Sequence, residues 1–85
     1  MNRSKLLQRI LQGSHQNISF SDLTNLLVGL GFHQTGIRGS HHYFVHPSVP
    51  DRVNLQPVKG QGKSYQIRQI VRHIERYNLR LEDER

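Results

Sequence analysis

The chain contains no cysteine and no tryptophan. Without thiols there is neither a disulfide framework nor a thiolate zinc site. Long apolar runs are missing too. Near the start, Leu6-Leu7 and Ile10-Leu11 are separated by Gln8-Arg9, which is unlike a secretory leader, and no stretch nears the length that spans a bilayer. No basic helix has a broad Trp- or Phe-rich face, so residence on a membrane surface is disfavoured. The expectation is an intracellular, cytoplasmic, soluble protein. Acids are scarce and unevenly placed. Four of the six (Glu75, Glu82, Asp83, Glu84) lie after residue 74, whereas residues 1–74 set nine Lys or Arg against Asp22 and Asp51. That excess favours a polyanionic partner such as nucleic acid, although a merely basic soluble protein would share it. Only 34% of the 85 residues are hydrophobic. One domain is expected, with a core near the small end of what folds alone, so a partner can add stability.

The residues present read as an α+β chain. Leu6, Leu7, Ile10 and Leu11 fall at helical spacing over residues 4–12, with Ser4 as cap and Gly13 as stop. The following Gly13-Ser14-His15 reads as that stop, with no chemistry assigned. A stronger helix covers 20–30. Phe20, Leu23, Leu26, Leu27 and Leu30 form its stripe, Ser19 its N-cap, Asp22 sits near the positive end of its dipole, and Gly31 takes the left-handed end with Phe32 folded back. Residues 33–38, 40–46 and 52–56 read as short strands of an antiparallel meander. Gly39 tightens the first connection, and residues 47–51 form the second as a turn. Alternation groups His42, Phe44 and His46 on one sheet face and His41, Tyr43 and Val45 on the other, and does not say which is buried. Lys59-Gly60-Gln61-Gly62-Lys63 reads as a flexible basic connector. It is not a P-loop, because the glycine required five positions before Gly62 is Pro57. A last helix over 64–78, capped by Ser64, buries Ile67, Ile70, Val71, Ile74 and Tyr77 or Asn78. Arg68, Arg72 and Arg76 form a basic ridge on another face, and the charged tail from Leu79 is expected to fray.

One stretch gathers glycines, histidines and aromatics: Gly36-Ile37-Arg38-Gly39-Ser40-His41-His42-Tyr43-Phe44-Val45-His46-Pro47. Gly39-Ser40-His41 followed by Tyr43-Phe44 and His46-Pro47 resembles the signature of the HicA family. The helix ending Leu30-Gly31-Phe32 before it, and the strand Val53-Asn54-Leu55-Gln56-Pro57 and a helix after it, keep that family's order over roughly residues 18–79. The resemblance implies a double-stranded-RNA-binding-domain-like fold, with a three-stranded antiparallel sheet and helices on one face. It also implies a toxin of a toxin–antitoxin pair that cuts messenger RNA, with a HicB-like antitoxin as partner. Residues 1–17 then form an added N-terminal helical extension, 18–79 the HicA-like domain and 80–85 a charged tail. Many relatives place a histidine after the proline beyond the third strand. Here Pro57 is followed by Val58-Lys59, in a Gln-Pro, basic glycine loop, Lys-x-Tyr-Gln arrangement.

Six histidines raise the question of a metal. No carboxylate shares the segment of His41, His42 and His46. His41 and His42 leave a strand on opposite faces, and His42 and His46 stand too far apart along it for easy chelation. No metal and no cofactor is expected. A Ser-His-Asp hydrolase is equally weak, since Ser40 beside His41 in sequence does not orient the ring and Asp22 and Asp51 offer no evident third member. RNA cleavage needs less, because the ribose 2′-hydroxyl is its own nucleophile. A proton acceptor, a proton donor and cations at the phosphate are sufficient, and imidazole serves near neutral pH. From the residues alone, His41 reads first as a strand residue hydrogen-bonded to a loop. The resemblance assigns it the catalytic role, with His42 as backup, Ser40 and Arg38 positioning or neutralising the phosphate, and Lys59, Lys63, Arg68 and Arg72 binding the RNA backbone. The competing class is a non-catalytic RNA-binding module of the same fold; a subunit that folds only with its partner is a third.

Overall fold

A computed structural model describes residues 1–82. Its elements are α1 (Arg3–Leu11), α2 (Phe20–Gly29), β1 (His33–Arg38), β2 (His41–His46), β3 (Val49–Leu55) and α3 (Ser64–Tyr77). The strands form one antiparallel sheet in the order β1-β2-β3, as expected for an α+β meander. No helix among the described residues is long and apolar enough to cross a membrane.

Local sequence explains most boundaries. Ser19 caps α2 by accepting from the Asp22 amide, and Asp22 also meets the Met1 ammonium at 3.1 Å. That ammonium first, then the Ser19 hydroxyl, hold the Asp22 carboxyl below its ordinary value. At the other end of α2, Gly31 has φ +101°. The Phe32 amide donates to the Leu27 carbonyl and the Gly31 amide to that of Val28, a Schellman ending that folds Phe32 into the core. Helix α1 starts earlier than expected. Asn2, not Ser4, is its cap, accepting from the amides of Ser4 and Lys5. Ser64 is not a cap either. It is the first residue of α3, and its hydroxyl donates to the His15 carbonyl at 3.2 Å.

Both strand connections have two residues. Arg38 pairs with His41 across Gly39-Ser40, and His46 pairs with Val49 across Pro47-Ser48. The third strand therefore begins at Val49 rather than 52, and Pro50 lies inside it. This is tolerated because β3 is an edge strand, where a missing N–H breaks no ladder bond. The register slips between Phe44 and His46, which takes up the extra residues of β3. The Lys59-Gly60 segment is a tight hairpin, not a flexible connector. Val58 and Gln61 exchange both backbone bonds around it, and Lys59 and Gly60 have φ +52° and +75°, the left-handed pair a type I′ turn demands. It docks on α2 through Phe20 N–H to the Gly60 carbonyl.

The core decides the sheet face that alternation left open. Phe44 is fully buried, with Val53 and Leu55 of β3 on the same side. His42 lies edge-on to Phe20 at 4.8 Å and His46 to Phe32 at 5.0 Å. The face carrying His41, Tyr43 and Val45 is therefore the open one. Leu6 and Ile10 of α1 are buried with Leu23, Leu26 and Leu27 of α2 and Ile67, Ile70 and Ile74 of α3, so the lead helix completes the core. Val71 and Tyr77 are only half-buried, whereas Gln66 and His73 are buried polar residues. The tail differs from expectation as well. Leu79 and Leu81 are buried, while the rest of the charged tail, 83–85, lies outside the described residues.

Candidate active site on the open sheet face

The turn Gly39-Ser40, with Gly39 at φ +61°, delivers His41 to the open face at the first position of β2. Its Nδ1 lies 3.1 Å from Asn54 Oδ1 on β3. With an amide oxygen facing it, Nδ1 is the donor in this contact, and Nε2 is the ring nitrogen left over. Nε2 has no hydrogen-bond partner among the described residues, so the ring is oriented by one nitrogen and open at the other.

Ser40 is tied to the far side of the same end of the sheet. Its Oγ accepts from Gln56 Nε2 at 3.0 Å, and Gln56 Oε1 accepts from Lys63 Nζ at 3.3 Å. The Gln56 amide donates to Gln66 Oε1 at 3.2 Å, and Gln66 Nε2 donates to the Asn54 carbonyl at 3.4 Å. Asn54, Gln56 and Gln66 thus link the Gly-Ser-His turn, the end of β3 and the start of α3. Buried Gln66 spends its amide on this link, which is why a polar residue sits in the helix stripe. No histidine follows Pro57 here, and Gln56, just before it, joins Ser40 to a lysine.

The remaining expected residues are dispersed. Arg38 pairs across β1–β2 with His41. His42 is on the opposite face, against Phe20 and 3.5 Å from Gln34 Nε2. Lys59 sits exposed at the hairpin tip. Arg68 borders a depression with Gly13, Ser14, His15 and Ser64, and Arg72 borders another with Asp51, His73 and Arg76. Neither depression includes His41. Tyr43 and Arg52 were missed by the sequence reading. The Tyr43 ring runs nearly parallel to that of His41, 16° between planes and 6.4 Å between centroids, and the Arg52 guanidinium lies 4.1 Å over the Tyr43 ring. Strand alternation was the available signal for Asn54 and Arg52, but it required the register of β3. Among the described residues no three His, Asp or Glu side chains gather as a metal site.

The family model for the HicA toxin of bacterial toxin-antitoxin matches residues 20–75. The chain belongs to the HicA toxin family. The match spans α2, the whole sheet and nearly all of α3, and bears out the resemblance carried by Gly39-Ser40-His41 and its flanks. Membership makes the chain a toxin-family protein with a cognate antitoxin as its implied partner. The comparisons with curated proteins and with solved structures each returned no match. In this HicA chain, α1 precedes the matched region and packs into its core.

Proposed function

We propose that this HicA toxin is a metal-independent endoribonuclease that cleaves messenger RNA in the cytoplasm, with His41 as the proton-transfer group. The carrying observation is the half-buried ring of His41, held through Nδ1 by Asn54 on an open, basic sheet face with Nε2 left without a partner among the described residues. Nε2 takes the proton of a ribose 2′-hydroxyl as that oxygen attacks the adjacent phosphorus, and the imidazolium so formed can return a proton to the leaving 5′-oxygen. Arg38, across the ladder from His41, and Lys63, linked through Gln56 to Ser40, supply positive charge for the phosphate as its negative charge develops. Ser40 positions this end of the site through Gln56. Lys59, Arg68 and Arg72 extend the contact along the RNA backbone. A HicB-like antitoxin would inhibit by covering the surface around His41, and the positive excess of the toxin suits an acidic blocker.

Cleavage by the purified chain with and without EDTA tests the chemistry. The expected products carry 2′,3′-cyclic phosphate or 3′-phosphate ends, and EDTA leaves the rate unchanged. His41→Ala loses a factor of about 10² to 10⁴ in rate while retaining RNA affinity. His42→Ala keeps its cleavage, because that ring faces Phe20. RNA that is bound but never cut by the unmodified chain would instead support a non-catalytic binding module.

A further inference from the structure

We infer that Tyr43 and Arg52 form a nucleobase-stacking subsite that takes one unpaired base of single-stranded RNA beside the phosphate presented to His41. This rests on the ribonuclease reading and names the form of substrate it acts on.

Tyr43 follows His41 by two residues on the same open face, so its ring lies one step along β2 from the proton-transfer group. The two rings are nearly parallel, 16° apart, and present similarly oriented planes to a ligand crossing the sheet. Arg52 lays its guanidinium 4.1 Å above the Tyr43 centroid. No carboxylate among the described residues pairs with Arg52, so an exposed cation lies over an aromatic ring with no ion pair of its own. Bases stack on aromatic rings and on arginine planes, and the stack gains from the cation–π attraction already present.

The neighbouring strand leaves room. The partner of Tyr43 on β1 is Gly36, just past a register shift. A Cβ at Gly36 would meet nothing within 4 Å, so the flank of the tyrosine is open. Thr35, Ile37 and Arg38 border the resulting depression together with Tyr43 and Arg52. Arg38 also pairs with His41, so one cation borders both the stacking depression and the proton-transfer group. A base on the platform therefore has its own phosphate near Arg38. In a duplex the faces of a base are covered by its neighbours, so only an unpaired nucleotide can use the subsite. Stacking accepts any base, because every base has a flat face.

The test is cleavage of a single-stranded oligoribonucleotide whose cut position has been mapped. It is compared with two versions that carry an abasic ribose at the nucleotide before or after the cut. Tyr43→Leu and Arg52→Lys are each expected to lower kcat/KM about tenfold or more on the intact strand. Tyr43→Phe, which keeps the ring, is expected to stay near the unmodified chain. One abasic strand should cost the unmodified chain a similar factor, and on that strand Tyr43→Leu should cost nothing further. A purely structural role would instead give the same loss on intact and abasic strands, and that result overturns the subsite. So would an Arg52→Lys variant that cuts normally. If the unmodified chain cuts and these variants match it, only the subsite fails. If the unmodified chain neither binds nor cuts RNA, the ribonuclease reading fails and the subsite with it.

Discussion

At the scale of single residues, the proposed mechanism assigns orientation of the His41 ring to one nitrogen and proton transfer to the other. Asn54 fixes the ring through Nδ1 without adding a charge, so it selects a tautomer and a direction. Asn54→Leu keeps the volume and removes the acceptor. Its expected effect is on kcat, a loss of up to about 10²-fold from misplacement of the ring, with RNA affinity nearly unchanged. A variant that cleaves at full rate would remove Asn54 from the mechanism. The surroundings of His41 and His42 differ for a reason that alternation shows and burial completes. Neighbouring strand residues face opposite ways, but which of them meets the helices depends on where Phe20 and Phe44 pack. With a large side chain on each face, the sequence offered no asymmetry to read. Asn54 was illegible for a related cause, since its partnership with His41 exists only in the register of β2 on β3.

At the scale of elements, legibility follows the range of the interaction. The cap at Ser19 and the left-handed Gly31 are set by their immediate neighbours, and both were readable. The early start of β3 was not. Pro50 reads as a turn residue until β3 is known to be an edge strand. The caps at Asn2 and Lys63 differ from the expected serines because Ser4 and Ser64 lie one or two residues inside their helices. Helix α1 read as an appendage, yet Leu6 and Ile10 are fully buried, and Arg3 donates to Asn25 Oδ1 on α2. Leu6→Ala is expected to cost about 2–5 kcal/mol in chemical denaturation, a large part of the total stability of a domain of this size. An unchanged midpoint would show that α1 is dispensable to the core. The start of α2 carries a pH signature. The Asp22 carboxyl is held below its ordinary value, so its stabilisation is present above the unfolded value and lost as pH falls through the lower folded value. Asp22→Asn is therefore expected to be less stable than the unmodified chain near pH 6, and the difference to close as acid protonates the carboxylate in the folded chain. Because the carboxylate is exposed, salt will shrink that difference.

At the scale of the whole molecule, the proposed ribonuclease reading raises the question of how far an RNA strand would extend over the surface. The positive excess before residue 75 is not concentrated on one face. Arg38 and Arg52 flank Tyr43 beside His41 on the open sheet, and Lys63 joins that end through Gln56. Arg68 and Arg72 are exposed on α3, Arg68 beside the α1–α2 connection and Arg72 beside Asp51 of β3. A strand held only at the His41 end would release few counterions. One that also follows α3 would release more, and the slope of log affinity against log salt counts them. Lys63→Ala is expected to flatten that slope by about 0.7, the value for one single-strand phosphate contact, and also to slow cleavage, because Lys63 belongs to the Ser40–Gln56 link. Arg72→Ala is expected to flatten the slope by the same amount and leave kcat unchanged. Fluorescence titrations of a labelled single strand across a salt series measure both slopes. If Arg72→Ala keeps the slope while Lys63→Ala lowers it, the RNA footprint stops at the His41 end and the exposed face of α3 is left for other contacts. If both keep the slope, phosphate binding rests on the open sheet face alone, with Arg38 and Arg52 as its cations.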